Sequence, residues 1–525
     1  MFNLLTQPLI AAAPLGPLSL PGLLAALSRD EVDSLPALRP HQAPAWHMFL
    51  VQLGALAMHR SGRTELPREE GDWCDLLRGL TPDFADDAPW RLVVEDWTKP
   101  AFLQPPVPKA VKLENTVPTP DAMDLLITAK NHDLKQAVAQ AAAPEDWIFA
   151  LVSLQTGEGY GGRSNYGIAR MNGGSSSRPM VTLAPLAGDK SMTPRSGAWF
   201  RRNVRTLLET RHAELQRHAQ FAYPATGGLG LIWIAPWPDD AQLHLRELDI
   251  WFIEICRRVR ICADCEGISA VKGLSKSTRI DAKAFNGALG DPFAPIHRTE
   301  NKGLTLGDGD FDYSRLTTLL LSGDWELPIL ARPASFERTG DTMAVVCMAL
   351  ARGNSRTDGF KSRILPLDGR KAQSLGARRQ ALFELAQAQI EDIDKFDKAL
   401  GYALAMVAAG GDRDKIKKEH YRHAAGARAA FDRTVDSEFF DHLWARDAAQ
   451  QQSAEALKAE QTAFHQALLK NAEAAFEAAV AAVPCASLFR PRAEARARSA
   501  FAGRLRHEFP GLFAKAPAED ANHVA

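Results

Sequence analysis

The sequence predicts an α+β protein, with a large mixed, loop-rich N-terminal domain over residues 1–366 followed by a C-terminal antiparallel four-helix bundle over residues 367–525. Three observations carry this expectation. The chain has 525 residues, well beyond the roughly 250–300 at which a single hydrophobic core stops growing. From Leu367 to Val483 there is no proline, alanine is frequent and apolar residues recur at helical spacing. Upstream, prolines, glycines and short apolar runs alternate, which suits short strands and helices joined by long loops.

Composition bounds the function classes. Hydrophobic residues make up 46% and charged residues 24%, an ordinary balance for a globular protein. The net charge is −1, so any affinity for nucleic acid has to come from local patches. Six cysteines in this length argue against a disulfide scaffold and for a reducing, cytoplasmic setting. The apolar N-terminus carries Pro8, Pro14, Pro17 and Pro21 and no Lys or Arg before Arg29, which does not fit a secretory signal.

Along the N-terminal region, helical patterns run from about Ala45 to Ser61 and from Trp73 to Leu80, and Pro120-Asp121 opens a further helix expected to end near Thr128. Lys130, Asn131 and His132 then form a polar turn. Arg195 to Arg217 reads as an arginine-rich helix, and Leu229 to Trp237 as the most strand-like run. Leu243 to Val259 fits either a strand or a helix by period alone.

The stretch from Leu154 to Arg178, LQTGEGYGGRSNYGIARMNGGSSSR, holds seven glycines between Gly157 and Gly174. Such a backbone enters positive φ and approaches a ligand with no Cβ in the way. Arg163, Arg170 and Arg178 are interleaved with these glycines, and Glu158 is the only carboxylate from Trp147 to Gly188. That balance suits an anionic partner such as phosphate. A flexible linker is the plainer alternative, against which stand Tyr160, Tyr166, Ile168 and Met171. Neither the P-loop pattern nor the dinucleotide fingerprint is met.

Cys262-Ala-Asp-Cys265 has metal-like spacing but no visible second pair, so a zinc site and a turn with packed thiols both stand; Cys256 and His297 would complete an unusual site. Lys272, Lys276 and Arg279 punctuate the Gly/Ser-containing loop that follows, where long cations can reach a groove of DNA. Residues 349–363, ALARGNSRTDGFKSR, read as a hairpin or loop tip with basic flanks. In the bundle, helices are expected at about 372–408, 413–431, 436–482 and 491–508, the last with six arginines between Arg490 and Arg506 against the single acid Glu494. Searches for a nucleophile elbow, a zinc-protease motif and a two-metal carboxylate cluster come back empty, which favours a binding protein over an enzyme.

In order, FNLLTQPLI, PAFLQPP, TPDAMDLL and GEGYGGRSNYGIARMNGG resemble the CasA family, the large subunits of the type I-E CRISPR surveillance complex Cascade. The resemblance spans essentially the whole chain and is most specific in the glycine stretch. It implies a non-catalytic subunit that needs no cofactor, recognises the protospacer-adjacent motif of double-stranded DNA, starts strand separation and R-loop formation, and recruits the helicase-nuclease. Its partners would be the other Cascade subunits, the CRISPR RNA and duplex DNA. The motif-reading loop would comprise Gly157, Gly159, Tyr160, Gly161, Gly162 and Arg163. A basic finger would be Lys272, Lys276 or Arg279, with Lys276 favoured, and a strand wedge would fall at Asn354, Ser355, Arg356 and Thr357. The family's best-known members place a glutamine in the wedge; none stands here, and Arg356 is the side chain with the bulk and charge to replace it. Lys130, Asn131 and His132 would touch the guide RNA and a neighbouring subunit, while Arg492, Arg496 and Arg498 would hold phosphates on the bundle. A stand-alone enzyme, or the large subunit of another type I CRISPR complex, is the alternative.

Overall fold

The structure is a computed structural model and describes residues 1–123, 142–188, 192–265, 267–307, 309–353 and 356–513. Its contacts group into two compact units, Met1–Phe311 with Gly323–Gly376, and Asp312–Ser322 with Ala377–Ala525. Helices and small sheets mix in the first; the second is helical.

The first unit begins with a short hairpin, β1 (Ile10–Ala12) against β2 (Gly16–Leu18). Helix α1 (Leu20–Arg29) starts where Ser19 Oγ accepts the Gly22 N–H at 3.0 Å, with Pro21 preset in its first turn. Helix α2 (Ala43–Ser61) is buried on nearly every side, which explains its low amphipathicity; it is the central helix of the core. Helix α3 (Glu70–Gly79) buries Trp73, Leu76 and Leu77 on one face. Strand β3 (Asn115–Val117) follows. The helix expected from Pro120 is described only as a 3-10 turn over Pro120–Ala122, and the polar turn Lys130, Asn131, His132 lies outside the described residues.

Next come helix α4 (Pro144–Gly157), strand β4 (Met180–Pro185) and the arginine-rich helix α5 (Ser196–Arg217). The strand expected over 229–237 is a correction: only β5 (Leu229–Leu231) is extended, and a 3-10 turn over Ile232–Ile234 ends it. Pro236 and Pro238 have no N–H to donate to a ladder, and Trp233 and Trp237 turn into the core instead. Leu243 to Val259 resolves as strand: β6 (Leu248–Ile253) pairs in parallel with β5, and β7 (Arg258–Asp264) follows. Every β6 residue is buried, so no polar alternation betrays it.

Strand β7 pairs with β8 (Gly267–Gly273), and β8 with β3. Three two-residue strands, β9 (Ile296–His297), β10 (Lys302–Gly303) and β11 (Trp325–Glu326), form a small sheet in the order β10-β9-β11, and helix α6 (Tyr313–Leu321) lies between the last two in sequence. The long hairpin β12 (Thr342–Gly353) and β13 (Arg356–Asp368) carries β4 on its other side, with Val345 facing both Leu183 and Leu365. Helix α7 (Gly369–Ala377) follows the hairpin. Edge-to-face aromatics knit the core, with Trp46 and Phe149 centroids 4.9 Å apart and Phe49 and Phe102 5.6 Å apart.

The second unit is the four-helix bundle: α8 (Arg379–Ala408), α9 (Ala425–Gln450), α10 (Ala454–Val480) and α11 (Arg490–Glu508). Helix α6 packs on α8, and Tyr313 stacks on Phe439 at 4.7 Å. The two middle helices are displaced from their expected positions. Asp412 caps a 3-10 turn over Arg413–Lys415, a second 3-10 segment runs over Lys418–Ala424, and Ser453 Oγ accepts the Ala456 N–H at 3.1 Å to start α10. Helix α8 ends at Gly410 and Gly411, both at positive φ; a Cβ on Gly411 would come within 2.7 Å of Ala493 Cα. No helix among the described residues is long and apolar enough to cross a membrane.

Candidate nucleic-acid interface

The glycine stretch is a closed loop that zips against itself. Where α4 ends, Glu158 bridges Ser177, Gly159 donates its N–H to Ser176 O at 3.0 Å, and Tyr160 donates to Gly174 O at 2.8 Å. The tip is a tight turn: the Gly161 N–H reaches Asn165 O at 2.9 Å and the Asn165 N–H reaches Gly162 O at 3.0 Å. Gly162 has φ +112°, which glycine adopts without strain. Tyr160 is 40% exposed, and Gly161 and Arg163 stand in solvent beside it.

The glycines have two different reasons. A Cβ on Gly159 would fall 2.2 Å from Gly174 O, and one on Gly167 would fall 2.4 Å from Gly159 C, so these two serve the loop's own packing. At Gly162 a Cβ meets nothing within 4 Å, and at Gly161 its tightest neighbour is the end of the Arg257 side chain at 3.1 Å. The tip is bare, while Gly157 is buried in the last turn of α4.

Beneath the loop, Glu158 accepts from Arg257 at 3.0 Å and from Arg352 at 3.2 Å. Arg257 also donates to Gly159 O at 3.2 Å and to Tyr166 O, so one guanidinium holds both limbs of the loop. Lys272, on β8, joins them: burial holds its ammonium below the ordinary lysine range, Glu158 opposing and Arg257 reinforcing. Three cations thus surround one carboxylate, a positive surplus at the loop's base.

The structure brings the second predicted loop to the same place. Ser164 O accepts the Ser275 N–H at 3.1 Å and its hydroxyl at 3.3 Å. One residue on, the Lys276 side chain is 76% exposed and reaches Asp239 Oδ2 at 3.2 Å. Arg279 is a correction to the finger candidates: it is 3% exposed, lies over the Trp237 ring and donates to Ala235 O at 3.2 Å. Burial pushes its pKa down to about 10.

The hairpin is the third element. Arg352, near the end of β12, ties it to Glu158; Arg356 and Thr357 open β13 opposite Gly353 and Arg352. Asn354 and Ser355 lie outside the described residues. Of the three interleaved arginines, two are core residues. Arg178 grips Asp291 with two bonds of 2.7 and 2.6 Å, and Arg170 lies 3.9 Å over the Phe252 ring. Only Arg163 is solvent-facing, with no ion pair among the described residues.

On the bundle, the predicted phosphate contacts are engaged internally. Arg492 donates to Gly410 O at 3.0 Å and Arg496 to Gly411 O at 2.9 Å, capping α8; Arg498 forms a fork on Glu477 at 3.0 and 2.7 Å. Cys262 pairs with Ser269 across the β7–β8 ladder, and Cys265 is exposed in the turn. Cys256 is buried and donates to Leu154 O at 3.1 Å, and His297 meets Trp325 edge-on at 4.9 Å. No group of three or more His, Cys, Asp or Glu placed to hold a metal ion occurs among the described residues.

Sequence reasoning singled out Glu158 and missed its partners Arg257 and Arg352, as it missed Ser275 for Ser164 and Asp239 for Lys276. All four lie far from the loop in sequence; Arg352 falls in a stretch that drew notice, residues 349–363, as Ser275 does in the loop of Lys272, Lys276 and Arg279.

No protein-family profile matches the chain, and no curated protein matches it in sequence. Solved structures do match. Thermobifida fusca Cse1 superposes with a TM-score of 0.62 at 16% identity, covering 98% of this chain and 99% of that one. CasA of Thermus thermophilus gives 0.59 at 15% identity over 96% and 99%. The CRISPR-associated protein Cse1 of Acidimicrobium ferrooxidans gives 0.56 at 15% identity over 97% and 99%. Over nearly its whole length, this chain has the fold of the CasA (Cse1) proteins.

Proposed function

We propose that this chain is the large, non-catalytic subunit of a type I-E Cascade and reads the protospacer-adjacent motif of duplex DNA with its glycine loop. The observation that carries the proposal is the bare tip Gly161–Gly162, flanked by exposed Tyr160 and Arg163 and held beside exposed Lys276 by the Ser164–Ser275 hydrogen bond. The minor groove is about 6 Å wide and presents a degenerate pattern, so a tip without bulky side chains enters it and reads a short motif permissively. Arg163 and Lys276 then hold the flanking phosphates, and the cations around Glu158 keep the base positive.

The β12–β13 hairpin, tied to the same carboxylate, carries Arg356 and Thr357 as the strand wedge that begins R-loop formation. The other Cascade subunits and the CRISPR RNA complete the assembly, guide pairing supplies the remaining sequence information, and the opened complex recruits the helicase-nuclease. The test is electrophoretic binding of target duplex by Cascade lacking its large subunit, with this protein added back. Retention that depends on the adjacent motif supports the proposal. Indifference to the added protein, or turnover by the purified chain alone, overturns it.

A further inference from the structure

The returning limb of the glycine loop rests on the chain that follows β10. Asn172 Nδ2 donates to Gly303 O at 3.0 Å, the Thr305 hydroxyl donates to Asn172 Oδ1 at 2.6 Å, and the Ser176 hydroxyl donates to Leu306 O. Ser176 O in turn accepts the Gly159 N–H at 3.0 Å. One residue therefore stands between the chain after β10 and the limb that carries the tip.

That chain leaves the small sheet, forms α6 and comes back. Within the second unit α6 is held at both ends. Tyr313 donates its hydroxyl to Asp432 Oδ1 at 3.0 Å and its N–H to Asp436 Oδ1 at 2.7 Å, its ring stacks on Phe439, and Arg379 Nε donates to Leu321 O at 3.3 Å. Leu316, Leu319 and Leu320 are buried between these ends. On the return, only Gly323 and Asp324 separate Ser322 from β11. Asp324 O accepts the Arg298 N–H at 2.7 Å, and Trp325 pairs with His297, the same β9 residue that pairs with Lys302 of β10. Both ends of the excursion thus close on β9. A two-residue passage has no slack to absorb a shift of α6, and strands of two residues have little stability of their own to resist the pull.

We infer that α6 is a strap that couples the bundle to the glycine loop: docked on α8 and α9, it holds the β10-β9-β11 sheet closed, and the sheet holds Asn172 and Ser176 in place beneath the tip. A partner that displaces α6 loosens the loop, and by reciprocity a ligand that fixes the loop tightens the docking of α6. The consequence for motif reading rests on the function proposed for the loop. The coupling is a property of the chain and is tested without DNA.

The experiment is native-state amide hydrogen exchange of the purified full-length chain. Tyr313→Ala removes the stacked ring and the hydroxyl that hold α6, and is expected to speed exchange at Gly159, Tyr160 and Gly303 by at least about fivefold. Tyr313→Phe, which keeps the ring and drops only the bond to Asp432, moves the same amides by less and serves if the alanine variant does not fold. Phe476→Ala, which removes a ring stacked on Phe501 elsewhere in the bundle, leaves these amides unchanged. Faster exchange of this pattern supports the strap whether or not the tip reads a motif. Exchange at Gly159 and Tyr160 that ignores both Tyr313 variants, or that Phe476→Ala speeds equally, overturns the inference.

Discussion

Ser164 O takes the Ser275 N–H at 3.1 Å, joining two loops that stand more than a hundred residues apart in the chain. Because of that bond the bare glycine tip and the exposed ammonium of Lys276 form one surface. Removing the Ser275 hydroxyl leaves the backbone bond in place, so the geometry is built into the main chain.

The glycines of the loop should separate under mutation. Gly159→Ala and Gly167→Ala force a Cβ against backbone atoms at 2.2 and 2.4 Å, and each is expected to destabilise the first unit by about 1–3 kcal/mol. Gly161→Ala meets first a flexible guanidinium at 3.1 Å and should melt within a degree of the parent. Thermal melts of the purified variants check this.

Lys276 and Arg279 should part in the same way. Lys276→Ala is expected to leave the melting temperature unchanged and to lower the slope of log affinity for duplex DNA against log salt by about 1, the signature of one lost phosphate contact. Arg279→Ala removes a buried side chain from Trp237 and should lower the melting temperature first. Binding isotherms across a salt series, beside melts, separate the two.

Glu254 gives a pH signature beneath the loop. Its Oε1 accepts the Ala169 N–H and its Oε2 has no donor among the described residues. Burial pushes its pKa up to about 7 from an ordinary 4.5, against the pull of that N–H and of Arg170. A raised carboxylate pKa contributes stability that is full below 4.5 and is lost as pH climbs to about 7. Glu254→Gln keeps the acceptor and drops the titration. Its stability relative to the parent should therefore rise between about pH 4.5 and 7, by at most roughly 3 kcal/mol, and then level off. Denaturant melts at stepped pH check the window.

In the bundle, Arg496→Ala uncaps α8 and should cost about 1–2 kcal/mol, since a charged donor leaves the Gly411 carbonyl. Arg498→Ala removes a half-exposed pair and should cost less than about 1 kcal/mol. Urea melts of the two variants give the comparison.

What the sequence discloses follows from the range of the forces involved. Glycine at the tip and the helical period after Leu367, broken at Gly410-Gly411, are local signals, and both survive in the structure. Charge counting does not tell a surface cation from a buried one. Arg170, Arg178 and Arg279 look like anion contacts and are core residues, because Phe252, Asp291 and Trp237 that receive them come from distant segments. The same holds for Arg492 and Arg496, whose partners are the carbonyls that the Gly410-Gly411 break exposes. The start of α10 turned on a single serine cap, Ser453, inside a run otherwise helical in pattern.

The most direct test of the glycine tip as the motif reader is the affinity ratio for duplexes with and without the adjacent motif. It is measured with Cascade reconstituted around the parent chain and around Gly161→Phe, a substitution at the exposed tip. A ratio that collapses to near one with Gly161→Phe, while assembly and melting temperature are retained, is the predicted result. A ratio that survives a phenylalanine at this position would contradict the account.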